Sequence, residues 1–183
     1  MVTHLSTVEI EAGMSRVAES PQDGGTVEMI VARPEIEARQ VLTAGTFTQE
    51  EGLVGDNWQA RGSKYTADGR AEPDRQITLM NARLLNLIAG ERERWPLAGD
   101  QLIVDIDLCR DNLEPGQQLQ VGQAVFEVTA SPHNGCKKFS QRFGVDAVKF
   151  VNSAVGKEQR LRGIYVKVVQ PGTVQTGDTI QKI

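Results

Sequence analysis

Glycine falls between short apolar runs throughout the C-terminal half of this sequence, and that spacing limits the possible folds more than any other feature. From 113 to 129 the chain reads Leu-Glu-Pro-Gly-Gln-Gln-Leu-Gln-Val-Gly-Gln-Ala-Val-Phe-Glu-Val-Thr, with Gly116 and Gly122 interrupting the apolar pieces at a spacing of six. Gly163-Ile-Tyr-Val-Lys-Val-Val169 and Pro171-Gly-Thr-Val-Gln-Thr-Gly-Asp-Thr-Ile180 repeat the habit. Several short strands joined at glycine turns predict a barrel or sandwich rather than a βαβ parallel sheet. Further strands are predicted over residues 26–32, stopped by Pro34, and over 39–43, 75–80 and 102–108. The fold class is therefore β-rich with a few short helices.

One helix is well signalled. Asn81 supplies an N-cap acceptor, Ala82-Arg-Leu-Leu-Asn-Leu-Ile-Ala89 follows, and Gly90 closes it. Leu84, Leu85 and Ile88 share one face. Residues 136–161 read as two or three short helices burying Val145, Val148, Phe150 and Val151. Residues 61–74, with two glycines, a proline and many polar groups, read as a mobile loop. Residues 1–25 read as a flexible lead-in, and 26–183 as a single domain, which suits a 183-residue chain.

Charge narrows the function classes. The formal net charge is −4, without the basic excess of a bulk nucleic-acid binder. No apolar run approaches the roughly 18–20 residues of a membrane span, and the N-terminal stretch lacks the pattern of a secretory signal. Two cysteines are too few for a disulfide framework. The expectation is a cytoplasmic protein with free thiols.

The chemistry concentrates in Ser131-Pro-His-Asn-Gly-Cys-Lys-Lys-Phe139. A cysteine entering a helix beside Lys137 and Lys138 stands in an electropositive setting, which favours the nucleophilic, metal-binding thiolate. The same stretch also fits a buried structural cysteine, and the two readings are balanced locally. His133, three residues earlier, could bond an anionic ligand, orient the loop, or face solvent in a turn. Zinc is not expected, because only His4, His133, Cys109 and Cys136 could supply N or S ligands. Cys109 reads as structural. No nucleophile elbow, zincin motif or phosphate loop is present. Arg162-Gly163 at a strand mouth and Arg75 at another could hold an anion, or simply be solvated.

Taken in order, Gly52-Leu-Val-Gly-Asp56, Arg75-Gln-Ile-Thr-Leu79, Gly116 to Val128, Cys136-Lys-Lys-Phe139, Arg162-Gly-Ile-Tyr165 and Gly177-Asp-Thr-Ile180 resemble a MOSC domain, the module named after the C-terminal part of molybdenum-cofactor sulfurase. The resemblance covers about residues 26–183. It implies a β-barrel similar to that of pyruvate kinases. It also implies the molybdenum cofactor (molybdopterin) or a sulfur-containing small molecule as ligand. Cys136 would be the molybdenum ligand or a persulfide carrier, and Arg75, Lys137 and Arg162 would hold the pterin phosphate. Relatives carry Gly-Glu-Asn-Leu where this chain has Gly99-Asp-Gln-Leu102, so Asp100 and Gln101 become candidate cofactor contacts. Relatives often have a histidine and paired glycines where this chain has Thr66 to Asp74. The resemblance implies an oxidoreductase or sulfur transferase. Its partners would be separate redox proteins or a pyridoxal-phosphate-dependent cysteine desulfurase. A metal-free persulfide carrier and a non-catalytic anion- or protein-binding module are the rival readings.

Overall fold

A computed structural model describes residues 3–183. Its strands are β1 (Gly25–Ala32), β2 (Gln40–Leu42), β3 (Ala44–Thr48), β4 (Gly52–Leu53), β5 (Ile77–Asn81), β6 (Leu102–Asp105), β7 (Gln118–Val121), β8 (Ala124–Val128), β9 (Ile164–Gln170), β10 (Gly172–Gln175) and β11 (Thr179–Lys182). The helices are α1 (Thr7–Ala18), α2 (Trp58–Arg61), α3 (Ala82–Ala89), α4 (Lys137–Phe143), α5 (Val145–Asn152) and α6 (Ala154–Glu158).

Seven strands close into a barrel in the order β11-β7-β8-β9-β5-β6-β1, and β1 returns to β11 through Gly25–Ile180 and Thr26–Thr179. Strand β2 hangs on the free side of β1, and β10-β3-β4 form a small second sheet. Closure removes the exposed edges that strands as short as four residues could not protect. The barrel expectation is met, with one difference. Strands β5 and β6 are parallel, so a single βαβ unit sits inside an otherwise antiparallel ring. Parallel neighbours need a long crossover, and α3 with the 3₁₀ segment Arg92–Ala98 provides it.

The core has two compartments, separated by the barrel wall. Inside are Val27, Ile30, Leu79, Val104, Phe126, Val166 and their neighbours, with Phe47 and Phe126 edge to face at 5.2 Å. Outside, α1, α3 and α5 pack on the other faces of the same strands through Ile10, Met29, Val31, Leu84, Leu85 and Val151. A bulge between Val27 and Met29 moves β1 out of strict alternation. Ile30 thus faces inward and Met29 outward, so one strand serves both compartments.

Helix α3 follows its signals. Asn81 Oδ1 accepts from Leu84 N at 3.0 Å, and Asn81 Nδ2 donates to Ser20 Oγ and Ile106 O. The flexible lead-in is corrected. Residues 7–18 form α1, opened by a reciprocal Ser6–Glu9 capping box and held by Ile10 and Val17 in the outer core. Residues 1 and 2 lie outside the described residues. The expected buried set of the C-terminal helices is also corrected. Gly144 ends α4 and starts α5, so the helical face restarts there. Phe139, Phe143, Ala147 and Val151 are buried, Val148 and Phe150 are half-buried, and Val145 is exposed.

Candidate functional site

At one mouth of the barrel the ends of β1, β5 and β9, the helix α2 and the start of α4 surround a cleft made of two adjoining cavities. The larger, about 410 Å³, is lined by the cations Arg33, Arg61, Lys64, Arg75 and Arg162, by the aromatic rings of Trp58, Tyr65, His133 and Tyr165, and by a single carboxylate, Glu72. The smaller, about 240 Å³, holds Cys136, Lys138, Arg39 and Arg142. Arg33, Arg61, Gly99 and Arg162 border both. In a chain of net charge −4, the cations of the cleft still outnumber its carboxylates once Glu35 and Glu37 of the smaller cavity are counted, and such an excess attracts anions.

Each of these cations is fixed differently. Arg162 is buried, and its Nη1 donates to both Asp100 oxygens at 3.0 and 2.9 Å and its Nη2 to Ala98 O. Its guanidinium lies 4.8 Å from the centre of the Phe139 ring. Its Nε, buried, has no hydrogen-bond partner among the described residues. Arg33 is clamped by Asp56, which accepts from its backbone N, Nε and Nη2 at 2.8–2.9 Å. Arg75 pairs with Glu72 at 3.2 Å and lies 4.1 Å from the Tyr65 ring centre. Arg61 has no side-chain hydrogen bond or ion pair among the described residues; burial first, and then the Arg33 charge, weaken its hold on its proton. An anion at the junction of the cavities would relieve that crowding.

His133 forms part of the wall. Its ring stacks on Tyr165 at 4.5 Å, and its Nδ1 lies 3.9 Å from Asp100 Oδ1, too far to bond. Burial, with the charges of Arg162, Arg33 and Arg75, holds its pKa well below the ordinary histidine value, so the imidazole is neutral. Gly163 makes its seat possible. At φ +98° a Cβ there would stand 2.1 Å from Leu79 O and 3.5 Å from His133 Nδ1. Gly62 does the same for the opposite wall: at φ +66° its missing Cβ would meet Gly69 O at 2.2 Å. The segment 61–74, expected as a mobile loop, is turn-rich and tied by Ser63 N to Gly69 O and by Thr66 Oγ1 to Arg70 O. It carries Lys64 and Tyr65 to the cleft.

The structure brings together Cys136, His133, Arg75 and Arg162 on the cleft, with Asp100 directly beneath. Cys136 is exposed and precedes α4 as its N-cap residue. Two expected contacts fall elsewhere. Gln101 is fully buried, its Oε1 accepting from Thr78 N and Oγ1 and its Nε2 donating to Gln76 O. It braces β5, and its burial keeps it out of both cavities. Lys137 lines neither cavity, and Lys138 takes its place. Sequence reasoning missed Arg33, Asp56, Trp58, Arg61, Tyr65 and Tyr165, which only the closed barrel assembles.

A model of the MOSC domain matches residues 66–181. The chain belongs to the MOSC domain family. The matched segment includes Arg75, Asp100, His133, Cys136 and Arg162, whereas Arg33, Arg39 and Arg61 lie upstream of it. No curated protein matches this MOSC domain chain in sequence. Among solved structures, YuaD from Bacillus subtilis has a TM-score of 0.60 at 19% identity, over 85% of this chain and 93% of that one. YiiM from Escherichia coli has a TM-score of 0.56 at 19% identity, over 86% and 69%. YiiM from Geobacillus stearothermophilus has a TM-score of 0.54 at 13% identity, over 87% and 75%. These likenesses establish the fold. No helix among the described residues is long and apolar enough to cross a membrane.

Proposed function

We propose that this MOSC domain protein binds the molybdenum cofactor in the cleft, with Cys136 as the thiolate ligand of the metal. The observation that carries the reading is an exposed thiol on a cleft where cations outnumber carboxylates, in a chain of net charge −4. The residues fit such a group. Arg162 Nε and His133 Nδ1 are buried polar atoms without partners, the kind of vacancy a polar ligand fills. Among the described residues no three His, Cys, Asp or Glu side chains cluster as a metal cage. That suits a metal whose other ligands come from its own cofactor.

Arg33, Arg61 and Arg162 would hold the phosphate at the junction of the cavities, and Trp58, Tyr65, Tyr165 and His133 would flank the planar pterin. When bound, the group supplies two-electron redox or atom transfer at molybdenum. The protein's part is positioning. Asp100 fixes the Arg162 fork, and neutral His133 can exchange a hydrogen bond without adding charge. A second reading, persulfide transfer from a pyridoxal-phosphate-dependent cysteine desulfurase, is favoured by the exposure of Cys136, since exchange needs an accessible sulfur.

The test is pterin and sulfane-sulfur content after expression in a host that makes the cofactor, comparing the wild type with Arg61→Gln. Near-stoichiometric pterin, falling roughly tenfold with the loss of one charge-assisted bond, is expected. Labile sulfur without pterin would favour the second reading, and neither would leave only an anion-binding module.

A further inference from the structure

The hairpin loop between β1 and β2, residues 33–39, closes over the smaller cavity. Its two ends are tied down. Arg33 is clamped by Asp56, and Arg39 Nε donates to Pro96 O at 3.1 Å. Its tip is held differently. The Glu37 carboxylate bridges Lys138 and Arg142, one turn apart on α4. Among the described residues the only backbone bond in the tip is Ala38 N to Glu35 O at 3.2 Å. Ile36 beside it is 79% exposed, so no apolar packing fastens the tip.

Glu37 adopts φ +66°, a left-handed conformation that strains a non-glycine residue. The cations it meets are crowded. Arg39 is pulled toward easier deprotonation by burial and then by the charges of Arg142 and Arg33. The hydrogen bond from Lys138 first, and then the charges of Arg142 and Lys138, hold the Glu37 pKa below the ordinary carboxylate value and so keep it ionised. A strained, exposed carboxylate thus occupies the place where a cationic cavity would otherwise take a ligand.

We propose that Lys138, Arg142 and Arg39 form a phosphate-binding site beside Cys136, and that Glu37 is an internal carboxylate occupying it until a phosphate-bearing ligand displaces the tip of the loop. The loop lies outside the segment that the family model matches. The latch rests on reading the cleft as an anion site, not on molybdenum or on the chemistry of Cys136. The two can therefore fail separately.

The probe is inorganic phosphate, titrated by calorimetry into the wild type, Glu37→Gln and Glu35→Gln. Glu35 lines the same cavity and has no ion pair among the described residues, so its variant makes the same charge change without releasing a latch. Displacing a competitor that holds most of the population predicts that Glu37→Gln tightens phosphate binding about fivefold more than Glu35→Gln does. Amide hydrogen exchange of residues 35–39 in the wild type should rise on adding phosphate, the reverse of ordinary ligand protection. Equal gains in the two variants, weaker binding in Glu37→Gln, or exchange that falls with phosphate would each overturn the latch. A phosphate response in protein that carries no pterin would leave the latch standing and remove the cofactor reading.

Discussion

Cys136 stands exposed where α4 begins, on a cavity of about 240 Å³ that also carries Arg33, Arg39, Lys138 and Arg142. Cys109 sits half-buried beside α1, on a wider cavity of about 600 Å³ whose charges are mixed, with Arg110 and Arg160 facing Asp107, Asp111 and Glu158. Its Sγ donates to Asp107 Oδ2 at 3.1 Å. Burial first, and then that bond, push the Cys109 thiol up and keep its proton on. Size alone would select the wrong cavity. What separates them is that one leaves its thiol exposed among cations that outnumber the carboxylates, while the other keeps its thiol occupied as a donor to a carboxylate.

The largest test of this contrast is the foundation of the cleft. Asp100→Ala leaves the buried Arg162 guanidinium without its counter-ion, and breaking a buried pair in this way costs about 3–5 kcal/mol. Glu158→Ala, on the Cys109 side, removes an exposed pairing with Arg110 at 3.9 Å and should cost less than about 0.5 kcal/mol. Urea unfolding of the two variants measures the difference, and comparable losses would dissolve the contrast.

A second test uses pH. His133 is held well below the free-histidine value of 6.5 in the folded protein, so as the pH falls below 6.5 the unfolded chain takes up a proton there that the native protein refuses. Stability contributed at this position is therefore complete above pH 6.5 and declines on acidification, by up to about 1.4 kcal/mol per pH unit. His133→Asn should flatten that slope. An unchanged slope would place the titration elsewhere.

The smallest effect is read on the thiols themselves. At pH 7, alkylation followed by peptide mass should modify Cys136 at least about tenfold faster than Cys109, given its exposure and its charges. Asp107→Asn, which removes the negative charge beside Cys109, should narrow that gap about threefold.

Much of the cleft was legible because its central parts are local. Cys136 and His133 share one loop, and Arg162-Gly163 announces a close approach that the Leu79 carbonyl then explains. Gln101 was misread because sequence shows an amide beside an acid but not that Thr78 and Gln76 consume its bonds. Arg33 and Arg61 were invisible as site residues. Nothing near them distinguishes them from solvated arginines until barrel closure sets them beside Arg162. Helix α1 was different, because its signal was present and overlooked. Ser6-Thr-Val-Glu9 is a capping-box pattern, and Ile10, Met14 and Val17 recur at helical spacing. The single parallel pair was overlooked in the same way, since the expected helix 82–89 lies between the strands expected over 75–80 and 102–108, the order of a βαβ unit.

The most direct measurement of the central claim is molybdenum and pterin, quantified together, in the wild type, Cys136→Ser and Cys109→Ser purified from a host that makes the cofactor. The account predicts near-stoichiometric molybdenum in the wild type and in Cys109→Ser, and its loss in Cys136→Ser. Molybdenum retained by Cys136→Ser, or lost from Cys109→Ser alone, would contradict it.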